Sequence, residues 1–175
     1  MSPALQAPDG NADGLPAGIR LILGADEAGV DYKNRILADL SGDPRISEII
    51  DIGVNRSDAP EEFTRPYPYV GIAAGEMIRD GRADRAILFC GTGIGVAIAA
   101  NKVPGIRACM CHDSFSARQG VEDDDMNVLC LGARIVGEEL AAELLRDFLG
   151  AQFSGAERHQ RRLDKVKAME GRVVP

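Results

Sequence analysis

Five short apolar runs punctuate this chain: Ile19–Leu23, Ile49–Ile52, Ala86–Phe89, Ile106–Met110 and Asn127–Leu131. Each is nearly continuous and is closed by a glycine or a cysteine. A strand with one wet face alternates apolar and polar residues, whereas a strand covered on both faces does not. The runs therefore predict strands of a parallel sheet buried between helices. Helical patterns fill the gaps at about Tyr32–Leu40, Pro68–Asp80, Gly95–Lys102 and Glu138–Leu149, with a polar helix near Glu157–Glu170. This alternation reads as an α/β fold, a doubly wound sheet of roughly five parallel strands. Ligands of such a sheet sit beyond the C-terminal ends of the strands. Those ends carry Gly24-Ala25-Asp26-Glu27, Cys90-Gly91-Thr92-Gly93, Cys111-His112-Asp113 and Gly132-Ala133-Arg134.

With 175 residues, 45% of them hydrophobic and 27% charged, the chain suffices for one domain with its own core, assigned here to 19–175. Met1 to Gly18 is rich in Ala, Pro, Gly and Asp. It lacks the basic start and apolar stretch of a signal peptide and reads as a disordered tail. The net charge of -7 argues against nucleic acid or an anionic membrane as partner, and no apolar run approaches the length of a membrane span. A phosphate ligand must then be met by a local basic cluster. Cys90, Cys109, Cys111 and Cys130 lie in or beside apolar runs, as expected of reduced thiols in a cytoplasmic protein. The single-residue spacing of Cys109 and Cys111 is poor for zinc.

The stretch Ile87 to Val96 concentrates the chemistry. A strand ends in Cys90, passes into Gly91-Thr92-Gly93-Ile94-Gly95, and opens a small-residue helix. Such a loop allows close backbone approach and presents free N–H groups at a helix start, the elements of an anion site. The Gly-Lys-Ser/Thr ending of a nucleotide P-loop is missing. A dinucleotide fingerprint would follow the first strand, and this loop follows the third. Asp51, at the end of strand two, is the acid that a nucleotide-binding domain would use on a ribose, but no matching glycine loop lies upstream of it.

Cys90-Gly91-Thr92-Gly93-Ile94-Gly95, followed by Ala99-Ala100-Asn101-Lys102-Val103-Pro104-Gly105-Ile106-Arg107-Ala108, resembles the type B ribose-5-phosphate isomerases. That family includes galactose-6-phosphate isomerase subunits and tetrulose-4-phosphate isomerases. The likeness continues through Asn127–Gly137, Phe148–Phe153 and Arg158–Arg162 and covers about Arg20 to Glu170. It implies a Rossmann-like three-layer sandwich and aldose–ketose isomerisation through an enediol, without metal or cofactor. Ribose 5-phosphate is then the default substrate.

The resemblance also implies roles. Cys90 matches the proton-transfer base, and a helix N-terminus favours a thiolate there; the bland alternative is a strand-end cysteine packing as a small hydrophobe. Amides of Gly91, Gly93 and Gly95, with the Thr92 hydroxyl, would bind the enediolate. Asp26 matches an aspartate that contacts sugar hydroxyls, or it is simply a helix N-cap. Tyr67 matches a pocket tyrosine, and Asn101 stands at a family position beside the loop. Arg134, Arg158 and Arg162, helped by His159, would clamp the phosphate, since a guanidinium presents paired donors to phosphate oxygens. In the family the C-terminal arginines reach a neighbouring subunit's site, which implies a homodimer, with a tetramer as its pairing.

Two departures bear on the substrate. Ribose-5-phosphate isomerases of this type carry histidine directly after the first-strand aspartate, where this chain has Glu27. They carry a second, ring-opening histidine before the Asn-Val strand, where this chain has Asp123, followed by Asp124. Asp123 and Glu27 would serve as acid–base or hydroxyl-binding groups if burial raised their pKa. Alternatively no ring is opened: a tetrose 4-phosphate cannot close a furanose, because the oxygen needed bears the phosphate. A tetrulose 4-phosphate is thus the rival substrate, and a non-catalytic sugar-phosphate binding protein the rival class.

Overall fold

The structure, a computed structural model, describes residues 18–58 and 65–170. The proposed tail falls on residues 1–17, outside the described residues apart from Gly18, whose carbonyl accepts from Ser47 Oγ at 2.8 Å.

Five strands, β1 (Ile19–Ala25), β2 (Ile46–Gly53), β3 (Arg85–Cys90), β4 (Ala108–Met110) and β5 (Val128–Gly132), form one sheet in the order β2-β1-β3-β5-β4. Every pairing is parallel. Six helices accompany them: α1 (Val30–Asp39), α2 (Tyr67–Arg79), α3 (Ile94–Ala100), α4 (Ser114–Asp124), α5 (Glu138–Gly150) and α6 (Glu157–Lys167). The central strands are buried on both sides. Leu21, Leu23, Ile87, Phe89, Leu129 and Leu131 pack with residues of α1, α4 and α5. On the other face Ile22, Leu88, Cys90, Val128 and Cys130 pack with residues of α2 and α3. Successive side chains point to opposite faces, so unbroken apolar runs are what two covered faces require.

The helices change face as the chain changes direction. α1 and α4 connect strands stepping one way across the sheet and share a face, whereas α2 and α3 connect strands stepping the other way and share the opposite face. A single hand of crossover demands this. The chain therefore leaves β1 and β3 in opposite directions and opens a crevice between their C-terminal ends, where ligands of open α/β sheets bind.

Several elements differ from the sequence reading: β2 starts at Ile46, not Ile49, and α6 ends at Lys167, not Glu170. β4 starts at Ala108, not Ile106, because Gly105 turns the chain with φ 86° and Ile106 turns back to donate to the Val103 carbonyl. Helix α4 was not expected at all. Its buried side consists of Ala117 and Val121 alone, too thin an apolar stripe for a periodicity argument. The one local sign is Asp113, whose side chain accepts from the Ser116 amide as an N-cap.

Candidate active site

At the mouth of the crevice, pairing of Ala25 with Phe89 and of Cys90 with Gly132 sets Asp26, Cys90 and Ala133 side by side. Backbone bonds fix them: Asp26 N–H donates to the Phe89 carbonyl at 3.3 Å, Ala133 N–H to that of Cys90 at 2.9 Å, and Arg134 N–H to that of Gly91 at 3.1 Å. The tips of β1, β3 and β5 are one rigid edge.

Cys90 is 4% exposed, and the Gly93 amide donates to its Sγ at 3.1 Å. Gly93 adopts φ 82°, a left-handed conformation that costs other L-residues steric strain. A Cβ there would also stand 3.0 Å from the backbone of Leu131. The Thr92 side chain is exposed, its Oγ1 3.4 Å from the Ile94 amide. Gly95 lies under the Tyr67 ring, 2.8 Å from where a Cβ would be, so α2 brings Tyr67 directly onto the loop. Burial pushes the Cys111 thiol up to about 11, raises Cys109, and holds Cys130 well above its ordinary value.

Asp26 is 6% exposed, and its Oδ1 accepts from the amides of Ala28 and Gly29 at 3.0 and 3.1 Å. It closes the turn before α1 but is not its N-cap, which is Gly29 and carries no side-chain cap. Burial raises its pKa, Glu27 adds to the rise, and the Ala28 and Gly29 amides with the Arg134 charge oppose it. Glu27 itself is exposed. The Arg134 guanidinium lies over Gly91, 3.5 Å from where a Cβ would be. Tyr32 holds the same turn from α1 by donating to the Val136 carbonyl at 2.7 Å; no motif in the sequence marks it.

The remaining candidates lie elsewhere. Asp123 and Asp124 end α4, just before β5 begins, and so stand at the N-terminal edge of the sheet. With five residues in β5, at roughly 3.3 Å each, about 16 Å separate that edge from Cys90. Helix α6 packs on α4 there. His159, 3% exposed, receives Arg158 Nε at 2.8 Å on Nε2, and its Nδ1 lies 2.7 Å from Ser154 Oγ and 3.3 Å from Asp123 Oδ1. Arg162 follows one turn after Arg158. One chain therefore carries two constellations at opposite edges: Asp26, Glu27, Tyr67, Cys90, Gly91–Gly95 and Arg134 at one, Asp123, Asp124, Arg158, His159 and Arg162 at the other.

Charge pairing separates these arginines from most others. Arg20, Arg35, Arg45, Arg56, Arg107 and Arg161 each pair with a carboxylate. Among the described residues Arg134, Arg158 and Arg162 pair with none, in a chain of net charge -7. Asn101 is held away from the loop: its amide donates to the Ala108 carbonyl at 2.7 Å and its carbonyl accepts from the Ala108 amide at 2.8 Å. It ties α3 to β4 at the N-terminal edge. Asp51, the candidate ribose acid, pairs with the fully buried Lys33, which also donates to Asn55 Oδ1 at 2.7 Å. That pairing engages one Asp51 oxygen within the fold. Among the described residues no group of three His, Cys, Asp or Glu side chains could hold a metal ion, and no helix is long and apolar enough to cross a membrane.

Comparison with known proteins agrees with this geometry. The profile of the ribose/galactose isomerase family matches residues 21–166. D-erythrulose-4-phosphate isomerase 2 of Mycolicibacterium smegmatis is 42% identical over 153 residues, 87% of this chain and 98% of that protein. Ribose-5-phosphate isomerase B of Escherichia coli is 39% identical, over 87% of this chain and 97% of that protein. The crystal structure of ribose-5-phosphate isomerase B from Mycoplasma genitalium with bound ribulose-5-phosphate superposes with a TM-score of 0.77 at 33% identity, covering 88% of this chain and 97% of that one. A strand-end cysteine and glycine loop at the switch point, unpaired arginines and matching folds converge: this chain belongs to the ribose/galactose isomerase family.

Proposed function

We propose that this aldose–ketose isomerase acts on a four-carbon sugar phosphate, interconverting a tetrulose 4-phosphate and the corresponding tetrose 4-phosphate. The observation that carries the choice is the state of the two positions where ring-opening relatives hold histidine. Glu27 is an exposed carboxylate, and Asp123 is engaged with His159, whose Nε2 is itself occupied by Arg158. Neither offers an imidazole to a sugar ring. A tetrulose 4-phosphate, which cannot form that ring, needs none. The 42% identity to an erythrulose-4-phosphate isomerase supports the same substrate.

The reaction then runs on the crevice side chains. Cys90, as thiolate, removes the proton from C1 of the ketose, and the electron pair moves onto the carbonyl oxygen to give the enediolate. The Thr92 hydroxyl and the amides of Gly91 and Gly95 stabilise that oxygen; the Gly93 amide is already committed to Cys90 Sγ. Cys90 returns the proton to C2, and the hydroxyl proton passes between O1 and O2. Asp26 uses its second carboxylate oxygen on sugar hydroxyls, Tyr67 walls the pocket, and Arg134 meets the substrate's charge. Arg158 and Arg162, stranded at the far edge of their own chain, complete the clamp from a partner subunit. A two-fold dimer places each edge against the other twice. The exposed Tyr69, Ile72, Ile94 and Ile98 on the outer faces of α2 and α3 offer the apolar surface for it. Free thiols at Cys90, Cys109, Cys111 and Cys130 support a cytoplasmic setting.

Proton exchange tests the reading. In deuterated water the protein is expected to exchange the C1 proton of D-erythrulose 4-phosphate and to form aldose. With ribose 5-phosphate, kcat/KM is expected to be at least about 100-fold lower, the scale set by a missing acid–base group. Equal or faster turnover of ribose 5-phosphate would restore that substrate, and exchange with neither would leave a binding protein.

A further inference from the structure

A helix C-terminus repels carboxylates, yet α4 ends in Glu122-Asp123-Asp124-Asp125. Asp125 is answered by Arg107 at 2.7 Å. Asp123 Oδ1 lies 3.3 Å from Nδ1 of His159, which with Asp26 and Lys33 makes up the buried polar residues of the described chain. An arginine Nε–H only donates, so the bond from Arg158 makes His159 Nε2 an acceptor. The ring proton then sits on Nδ1, bonded to Ser154 Oγ at 2.7 Å, with the Asp123 carboxylate 3.3 Å from the same nitrogen. Carboxylate, imidazole and guanidinium form a chain, with Asp123 and Ser154 at one end and Arg158 at the other. Among the described residues this is Arg158's one hydrogen bond, and both its η nitrogens stand unpartnered. An arginine side chain is long and free to rotate; held at Nε, it keeps its forked η pair ready for two oxygens of a phosphate.

We propose that Asp123 is a positioning residue for phosphate recognition: through His159 it fixes the Arg158 guanidinium in its binding orientation. This rests on the sugar-phosphate reading above and says how the far-edge constellation serves it. The imidazole is a strut, not an acid, and Ser154 steadies its outer nitrogen.

Binding of inorganic phosphate to the assembled protein, measured by calorimetry, tests this without turnover; KM and kcat for D-erythrulose 4-phosphate extend it. Asp123→Ala is expected to weaken phosphate binding and to raise KM about tenfold, the scale of one charge-assisted hydrogen bond, while kcat falls less than about threefold. Asp123→Asn, which keeps an acceptor at the same point, is expected to restore most of the affinity. Arg158→Ala is expected to bind phosphate no better than Asp123→Ala, and the double variant no worse than Arg158→Ala. Unchanged phosphate binding in Asp123→Ala, or losses that multiply in the double variant, would overturn the proposal, as would a wild type that binds no phosphate. If phosphate binding follows this pattern while no sugar phosphate turns over, the isomerase reading fails and the positioning role stands.

Discussion

Gly93 joins backbone conformation to chemistry most tightly. Its φ of 82° aims its amide at Cys90 Sγ, and its missing side chain lets the loop lie against β5. Gly93→Ala is expected to cost about 1–2 kcal/mol in backbone strain. That lowers the melting temperature by about 3–6 °C, with a larger loss in kcat/KM because the donor to the sulfur moves. Gly91→Ala, with no atom nearer than 3.5 Å to the new methyl, is the comparison and is expected to melt close to wild type. Calorimetry and steady-state assays on the two proteins check the pair. Cys90 and the glycines were legible in the sequence because their spacing is local. Tyr32 and Ser154 were not. Each acts through one hydrogen bond to a distant partner, Val136 or His159, and nothing in the neighbouring letters records that bond.

Among the elements, the strands were legible because burial on both faces leaves an unbroken apolar run, while helix ends shifted by up to three residues. The miss at α4 had the larger consequence. A helix that precedes a parallel strand must end at that strand's N-terminal edge. Recognising α4 in the sequence would therefore have placed Asp123 far from Cys90. The same edge shows how elements are tied together. Arg85, at the start of β3, donates to the carbonyls of Phe148 and Ala151, the latter at 2.7 Å, and its guanidinium lies 5.2 Å from the centre of the Phe148 ring. It closes the end of α5 with a charge that burial lowers to about 10, still cationic at neutral pH. Arg85→Ala is expected to destabilise the fold by about 2–4 kcal/mol, since two carbonyls lose their donor and a ring loses its cation. Denaturant unfolding measures the loss; a change under 0.5 kcal/mol, the range of ordinary surface substitutions, would show that α5 is capped by other means.

For the proposed dimer, the decisive feature is that the candidate site residues are divided between two edges of the sheet. The crevice between β1 and β3 holds Cys90, Asp26 and Arg134, while α6, packed on α4 toward the opposite edge, carries Arg158 and Arg162. On the proposed reading neither half alone has the full set of groups for isomerising a sugar phosphate, and two chains facing each other would have it twice. Subunit complementation tests this directly. Cys90→Ala and Arg162→Ala proteins are each expected to lose most activity on D-erythrulose 4-phosphate. Exchanging subunits between them in equal amounts should restore about one quarter of wild-type turnover, because half the dimers are hybrids and each hybrid holds one intact site. A mixture that stays as inactive as its parents would contradict the shared site, and full activity in Cys90→Ala alone would contradict the chemistry assigned to it.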